Sequence, residues 1–217
     1  MNELINNLRK FNRKERFFLV GTALGNEKFE MADSFKSALQ KTLTSMNQEI
    51  PSTAFVAMDY HLDWIYASLY LSTNPIKTVN VRDPKLITAN QEDVDLLVAF
   101  PDNYDSAKTH LILCECKAES SWTNKQVLSK AERLRNIFGE HGDVFSEIAI
   151  PHFVLISPKK PNRLNLTKVP HLMKPDGDIP WMNLEIPKDL QKVTRCDRKG
   201  KNSKDGTYWK VDKTSIR

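Results

Sequence analysis

The sequence predicts an α/β fold: a mixed central β-sheet with helices on both faces, a helical N-terminal part and a small basic C-terminal extension. Three observations predict it. Apolar residues recur at helical spacing through the first third of the chain. Two short apolar runs, Leu96–Phe100 and Leu111–Leu113, flank a turn-rich segment in the manner of a β-hairpin. After a further helical pattern, Phe153–Ser157 is a nearly unbroken apolar run, the texture of a strand buried on both faces. A hairpin followed by helix and strand closes a mixed sheet with helices on either side.

Asn12, with Glu15 three residues on, has the form of a capping box and opens a helix through Phe17, Phe18, Leu19 and Val20, which Gly25 stops. Asp33 caps a second helix, with Phe35, Ala38, Leu39, Leu43 and Met46 at helical spacing. Pro51 and Ser52 precede a third, with Phe55, Met58, Leu62, Ile65, Tyr66 and Leu69 on one side and Asn74-Pro75 at its end. Residues 78–81 are expected as a first strand, and the hairpin follows. Ser120 to Gly142 reads as a helix with Val127, Leu128, Ala131, Leu134, Ile137 and Phe138 on its apolar side. Prolines then punctuate a connecting stretch, with a short strand expected within 181–186. Residues 195–211 read as a second hairpin with a basic turn, closed by Tyr208 and Trp209. The organisation expected is a helical segment over 1–54 packed on a core of 55–160, then a proline-rich connection and basic hairpin over 161–217.

Several classes of function find no support. No stretch of ~18 apolar residues occurs, so no membrane span is expected. The first residues lack the apolar core of a signal peptide, and three cysteines make no disulfide framework; both fit a reducing cytoplasm. Cys114 and Cys116 lack a second pair with zinc-ligand spacing and read as buried strand cysteines. His61, His110, His141, His152 and His171 are scattered, and there is neither a Gly-rich phosphate loop nor a Ser/His/Asp constellation.

The formal net charge is +5, and the last thirty residues hold ten Lys and Arg against four Asp. A basic surface favours polyanions. Arg195, Arg198, Lys199, Lys201 and Lys204, interleaved with Trp209, suit a nucleic acid whose phosphates meet charge and whose bases stack; Lys125 is a further candidate. Two other accounts stand beside this one: a lysine-rich tail that keeps the chain in solution, and a satellite hairpin that packs its Trp on the core.

The most informative stretch runs from Glu92 to Glu119. Asp95 precedes the first apolar run, and Glu115 and Lys117 follow the second. Side chains alternate along a strand, so Glu115 and Lys117 share a face and Cys114 and Cys116 take the other. A turn centred near Asp105 puts Asp95 opposite Glu115, with Cβ atoms ~4.5–5.5 Å apart. Carboxylates that close repel unless a proton or a cation lies between them. A hard divalent cation takes such oxygen ligands, with water and substrate phosphate completing its shell. The plainer account of Glu-x-Lys is a solvated ion pair on an edge strand.

Asp, apolar strand, turn, apolar strand, Glu-x-Lys resembles the pattern of the PD-(D/E)xK nuclease superfamily, over roughly residues 55–157. The literal Pro-Asp also occurs, as Pro101-Asp102, but Asp102 falls in the turn, several residues from Glu115. The resemblance implies a restriction-endonuclease-like core and hydrolysis of DNA phosphodiesters, with RNA and a homodimer left open. It implies Mg²⁺, or Mn²⁺, held by Asp95, Glu115 and the Cys116 carbonyl. The metal would acidify a water and neutralise charge on the transition state. Lys117 would position the attacking water or stabilise that charge. Relatives add an acid from a helix before the sheet; Asp63 is the candidate here, with Asp59 and Glu30 as rivals. Some carry a glutamine near the start of the following helix, which makes Gln126 a candidate. The other reading open is a nucleic-acid-binding or regulatory protein that keeps the scaffold without catalysis.

Overall fold

The computed structural model describes residues 2–75, 77, 79–89, 92–118, 122–187 and 189–213. Among these the chain forms α1 (Glu3–Phe11), α2 (Glu15–Ala23), α3 (Asp33–Thr42), β1 (Phe55–His61), α4 (Leu62–Thr73), β2 (Asp93–Pro101) and β3 (Thr109–Cys116). There follow α5 (Asn124–Phe138), β4 (Ala149–Ser157), two 3-10 turns, β5 (Trp181–Asn183), β6 (Gln191–Cys196) and β7 (Tyr208–Lys213). No helix among the described residues is long and apolar enough to cross a membrane.

Strands β1 to β5 form one mixed sheet in sequence order, antiparallel through β1–β2–β3 and parallel through β3–β4–β5. β3 is central, which is why it reads as a continuous apolar run: Leu111 and Leu113 enter one core, Ile112 and Cys114 the other. The first core lies under α1, α4 and α5, with Leu8, Ile65 and Leu134 on those helices. The second is closed by Leu39 of α3 and by Leu43, Met46 and Ile50 beyond it. Helices therefore cover both faces, as expected of an α/β sheet. α1, which the sequence did not disclose, is tied to the sheet by the buried Tyr60 hydroxyl, which donates to the Leu8 carbonyl at 2.8 Å.

Several expectations are corrected, among them the cap at Asp33, which is the first residue of α3 behind an N-cap at Ala32 without a side-chain cap bond. The third helix is instead the strand β1 followed by α4. Its apolar positions satisfy a helical period, but Asp59 takes a left-handed φ of 49° and inverts the alternation, so Ala57 and Tyr60 enter the same core. Asp59, a rival for the further acid, is thus a strand residue and Asp63 a helix residue. The Asn12 capping box is absent: Asn12 ends α1, and α2 begins at Glu15 without a side-chain cap. Residues 79–81 form no strand, Thr78 lying outside the described residues. α5 is shorter than expected, ending where Gly139 takes φ 82°, and Ser120 also lies outside the described residues. The second hairpin is present as β6–β7, a separate two-stranded sheet.

Candidate active site at the β2–β3 fork

The β2–β3 register runs from Pro101↔Thr109 to Leu96↔Cys114, the register that puts Asp95 opposite Glu115. Beyond Leu96 the bridges stop, while β2 continues to pair with β1 as far as Asp93. The two strands part there, and the next N–H of β3 that faces β2, that of Cys116, donates to Asp95 Oδ2 at 2.6 Å. In a β-strand the N–H and C=O of one residue point the same way, so the Cys116 carbonyl also faces the Asp95 side.

Glu115 follows Leu113 onto the α5 face of the sheet and is largely buried there. Lys130 of α5 comes within 2.9 Å of Glu115 Oε1 and also donates to the Asp93 carbonyl. Burial pushes the Glu115 carboxyl up to about 7; Lys130 opposes that rise, and the charges of Asp95 and Glu92 add to it.

A cavity of about 620 Å³ opens beside this carboxyl. Glu115, Lys117, Lys125, Gln126 and Lys130 line it, together with Glu92 and Trp122. The Lys117 ammonium lies over the Trp122 ring, 5.8 Å from its centroid, and makes no ion pair with a described residue. The α5 N-terminus faces this cavity through Thr123, which accepts from the Gln126 N–H and donates to Gln126 Oε1 at 3.1 Å. Thr123 is thus the N-cap of α5, and its hydroxyl holds the Gln126 side chain at the start of the helix. Asp95 does not line the cavity, its Oδ2 being turned to Cys116.

The candidates for a further acid are not brought here. Asp63 is held by Arg133 at 2.7 Å and by the Ala89 N–H at 2.9 Å, Asp59 pairs with Arg16, and Glu30 is exposed on the segment before α3. The acid that does reach the cavity is Glu92, which sequence reasoning missed, as it missed the pairing of Lys130 with Glu115. Glu92 stands three residues before Asp95, but no periodicity marks it. Among the described residues no three His, Cys, Asp or Glu side chains form a group that could hold a metal ion. The thiols are poor candidates in any case: Cys114 is buried, and burial pushes Cys116 up to about 12.

Asp102 caps the hairpin turn through the Tyr104 and Asp105 N–H groups and bonds His110 at 2.8 Å. His110 in turn meets His152 at 2.8 Å across the sheet. Two of the scattered histidines thus join in an Asp102–His110–His152 chain, on the face opposite Glu115. On the β6–β7 ribbon Arg198, Lys199 and Lys201 lie exposed in the turn, and Arg195 donates to the Lys204 carbonyl. Trp209 is 69% exposed, so it does not pack on the core.

Comparison with protein-family models, with curated proteins and with solved structures found no match to this chain.

Proposed function

We propose that the chain is a divalent-metal-dependent nuclease of the PD-(D/E)xK kind, hydrolysing DNA phosphodiesters at the fork between β2 and β3. What supports the reading is the register that sets Asp95 across from Glu115 where the two strands part, with a cavity lined by Glu115, Lys117, Lys125 and Gln126 on the Glu115 side. A mixed sheet with helices on both faces, and a hairpin followed by helix and parallel strand, is the setting that resemblance requires.

The donor set fits a hard cation. Asp95, Glu115 and the Cys116 carbonyl offer oxygen only, and the Glu115 carboxyl is largely buried with the negative charges of Asp95 and Glu92 near it. Mg²⁺ or Mn²⁺, when bound, supplies Lewis acidity and neutralises charge on the phosphoryl oxygens. The Cys116 peptide orients Asp95, and Lys130 keeps Glu115 from standing as an uncompensated buried charge. Lys117 lines the cavity with an ammonium that makes no ion pair with a described residue, placed to stabilise charge developing on a phosphate held there. Lys125 and the α5 N-terminus receive the flanking backbone.

A second reading has an observation of its own. Glu115 is already paired with Lys130, which suits a nucleic-acid-binding protein that keeps the scaffold and cuts nothing. Incubating the protein with plasmid, linear and single-stranded DNA, in Mg²⁺, Mn²⁺ or EDTA, separates the two. Cleavage that requires the metal and disappears in Glu115→Gln is expected; binding without cleavage in either metal gives the second reading.

A further inference from the structure

The two faces of the β6–β7 ribbon differ in exposure. Its pairs Gln191↔Lys213, Val193↔Val211 and Arg195↔Trp209 put six side chains on one face, and all six are exposed. The other face holds Cys196, which is buried, Thr194, Lys210 and Asp212, which are half-buried, and Lys192 and Tyr208, which are exposed. Gly206 packs so tightly on the Cys196 carbonyl that a Cβ would lie 2.2 Å from its oxygen, which fixes the turn over that side. Two valines and a tryptophan, exposed by 70%, 50% and 69%, therefore face solvent as a contiguous apolar stripe. A stripe of that kind rimmed by charge marks a binding surface.

We infer that this face docks into the major groove of duplex DNA, with Trp209, Val193 and Val211 against base edges and the surrounding lysines and arginines against the flanking phosphates. The inference rests on the choice of DNA made above and adds the element that holds it. Charge selects a polyanion: residues 191–213 carry eight Lys and Arg against three Asp. Shape selects the duplex. Two strands lie ~4.8 Å apart and six residues span ~20 Å, and the major groove, ~12 Å wide, admits a two-stranded ribbon. A-form RNA closes its major groove to side chains. Single strands are held by aromatic platforms that take successive bases. This face offers Trp209 alone, because Tyr208 belongs to the opposite one. Arg195 lies directly across from Trp209, and the exposed turn lysines Lys199 and Lys201 extend beyond the pair.

The test is fluorescence anisotropy in EDTA, where cleavage plays no part, using a labelled 20-bp DNA duplex, its single strand and the RNA duplex of the same sequence. The full chain is compared with Trp209→Ala, Val193→Thr with Val211→Thr, and Lys199→Gln with Lys201→Gln. The threonine pair preserves strand propensity, and circular dichroism verifies folding of each variant. Expected are preference for the DNA duplex and an affinity loss of about tenfold in Trp209→Ala and the threonine pair, with an unchanged salt slope. The glutamine pair should lower the slope of log K against log salt by ~0.9 for each phosphate that is no longer neutralised. Stronger binding of single strand or RNA, duplex affinity indifferent to the face, or a dimer that the face variants dissolve would overturn the inference. Ribbon-dependent duplex binding without metal-dependent cleavage would instead overturn the nuclease reading alone.

Discussion

Asp95 Oδ2 accepts the Cys116 N–H at 2.6 Å, one residue beyond the last bridge between β2 and β3. A side-chain carboxylate stands where the ladder would otherwise supply a carbonyl, so Asp95 has a structural duty as well as the proposed ligand duty. Asparagine can still present an oxygen to Cys116 but loses the charge; alanine strands the N–H.

Asp95→Ala should therefore cost ~1–3 kcal/mol, the penalty for a buried donor left unsatisfied, and Asp95→Asn should cost much less. Both should abolish the stabilisation by Mg²⁺, which in the parent amounts to ~1.4 kcal/mol at ten times Kd. Urea titrations of the three proteins with and without metal check this. An Asp95→Asn protein with a full metal response would remove Asp95 from the ligand set.

Glu115 makes a pH-dependent prediction for the metal-free protein. Its carboxyl is raised from 4.5 to about 7, so the folded chain holds a proton that the unfolded chain has released. That contribution is complete below pH 4.5 and is lost as pH rises through about 7, amounting to ~3 kcal/mol. His152, depressed to about 3 by burial, runs the other way: its contribution is present above 6.5 and lost as pH falls toward 3. The two overlap, so the quantity to measure is the stability difference between Glu115→Gln and the parent in EDTA. That difference should shift in favour of the variant between pH 4.5 and 7 and level off above; a flat difference would show that Glu115 titrates normally.

Asp63 separates fold from site. It is held by Arg133, which is buried and also bonds the Lys85 and Leu86 carbonyls. Asp63→Ala removes the charge facing a buried guanidinium and should destabilise the protein by ~3–5 kcal/mol. The metal response and the cleavage of the folded fraction should persist. Loss of the metal response in a folded Asp63→Asn protein would restore Asp63 as a ligand.

What the sequence discloses tracks the physics of each element. Asp95, Glu115 and Lys117 are legible because charge interrupts two apolar runs whose register a single turn fixes, and the observed register is the expected one. β1 is not legible: Asp59 inverts its faces, so neither a period of two nor one of 3.6 describes Ala57, Met58 and Tyr60 together. Lys130 reaches Glu115 through the packing of α5 on the sheet, and Glu92 comes to the same cavity from the residue before β2; neither leaves a local mark. The same holds for His110 and His152, which are 42 residues apart in sequence and 2.8 Å apart across the sheet.

The two lysines near Glu115 give the last prediction, because the structure divides between them what the sequence assigned to one. Lys130 is 7% exposed, ion-paired to Glu115 and bonded to the Asp93 carbonyl. Lys117 touches the Trp122 ring and makes no ion pair with a described residue. Lys130→Met should leave Glu115 uncompensated and destabilise the metal-free protein by ~3–5 kcal/mol. Added Mg²⁺ should recover part of that loss, since a cation at the two carboxylates replaces the missing charge. Lys117→Ala gives up a cation–π interaction of ~0.5–1 kcal/mol at a partly exposed site, so its fold and its metal response should survive. Its cleavage rate should nonetheless fall ~10²–10³-fold, the scale for removing one group that stabilises developing charge. Thermal melts with and without Mg²⁺, run beside plasmid cleavage, resolve the pair. If Lys117→Ala cuts as the parent does while Lys130→Met folds and does not cut, the cation that serves the chemistry is Lys130, and the role proposed for Lys117 is wrong.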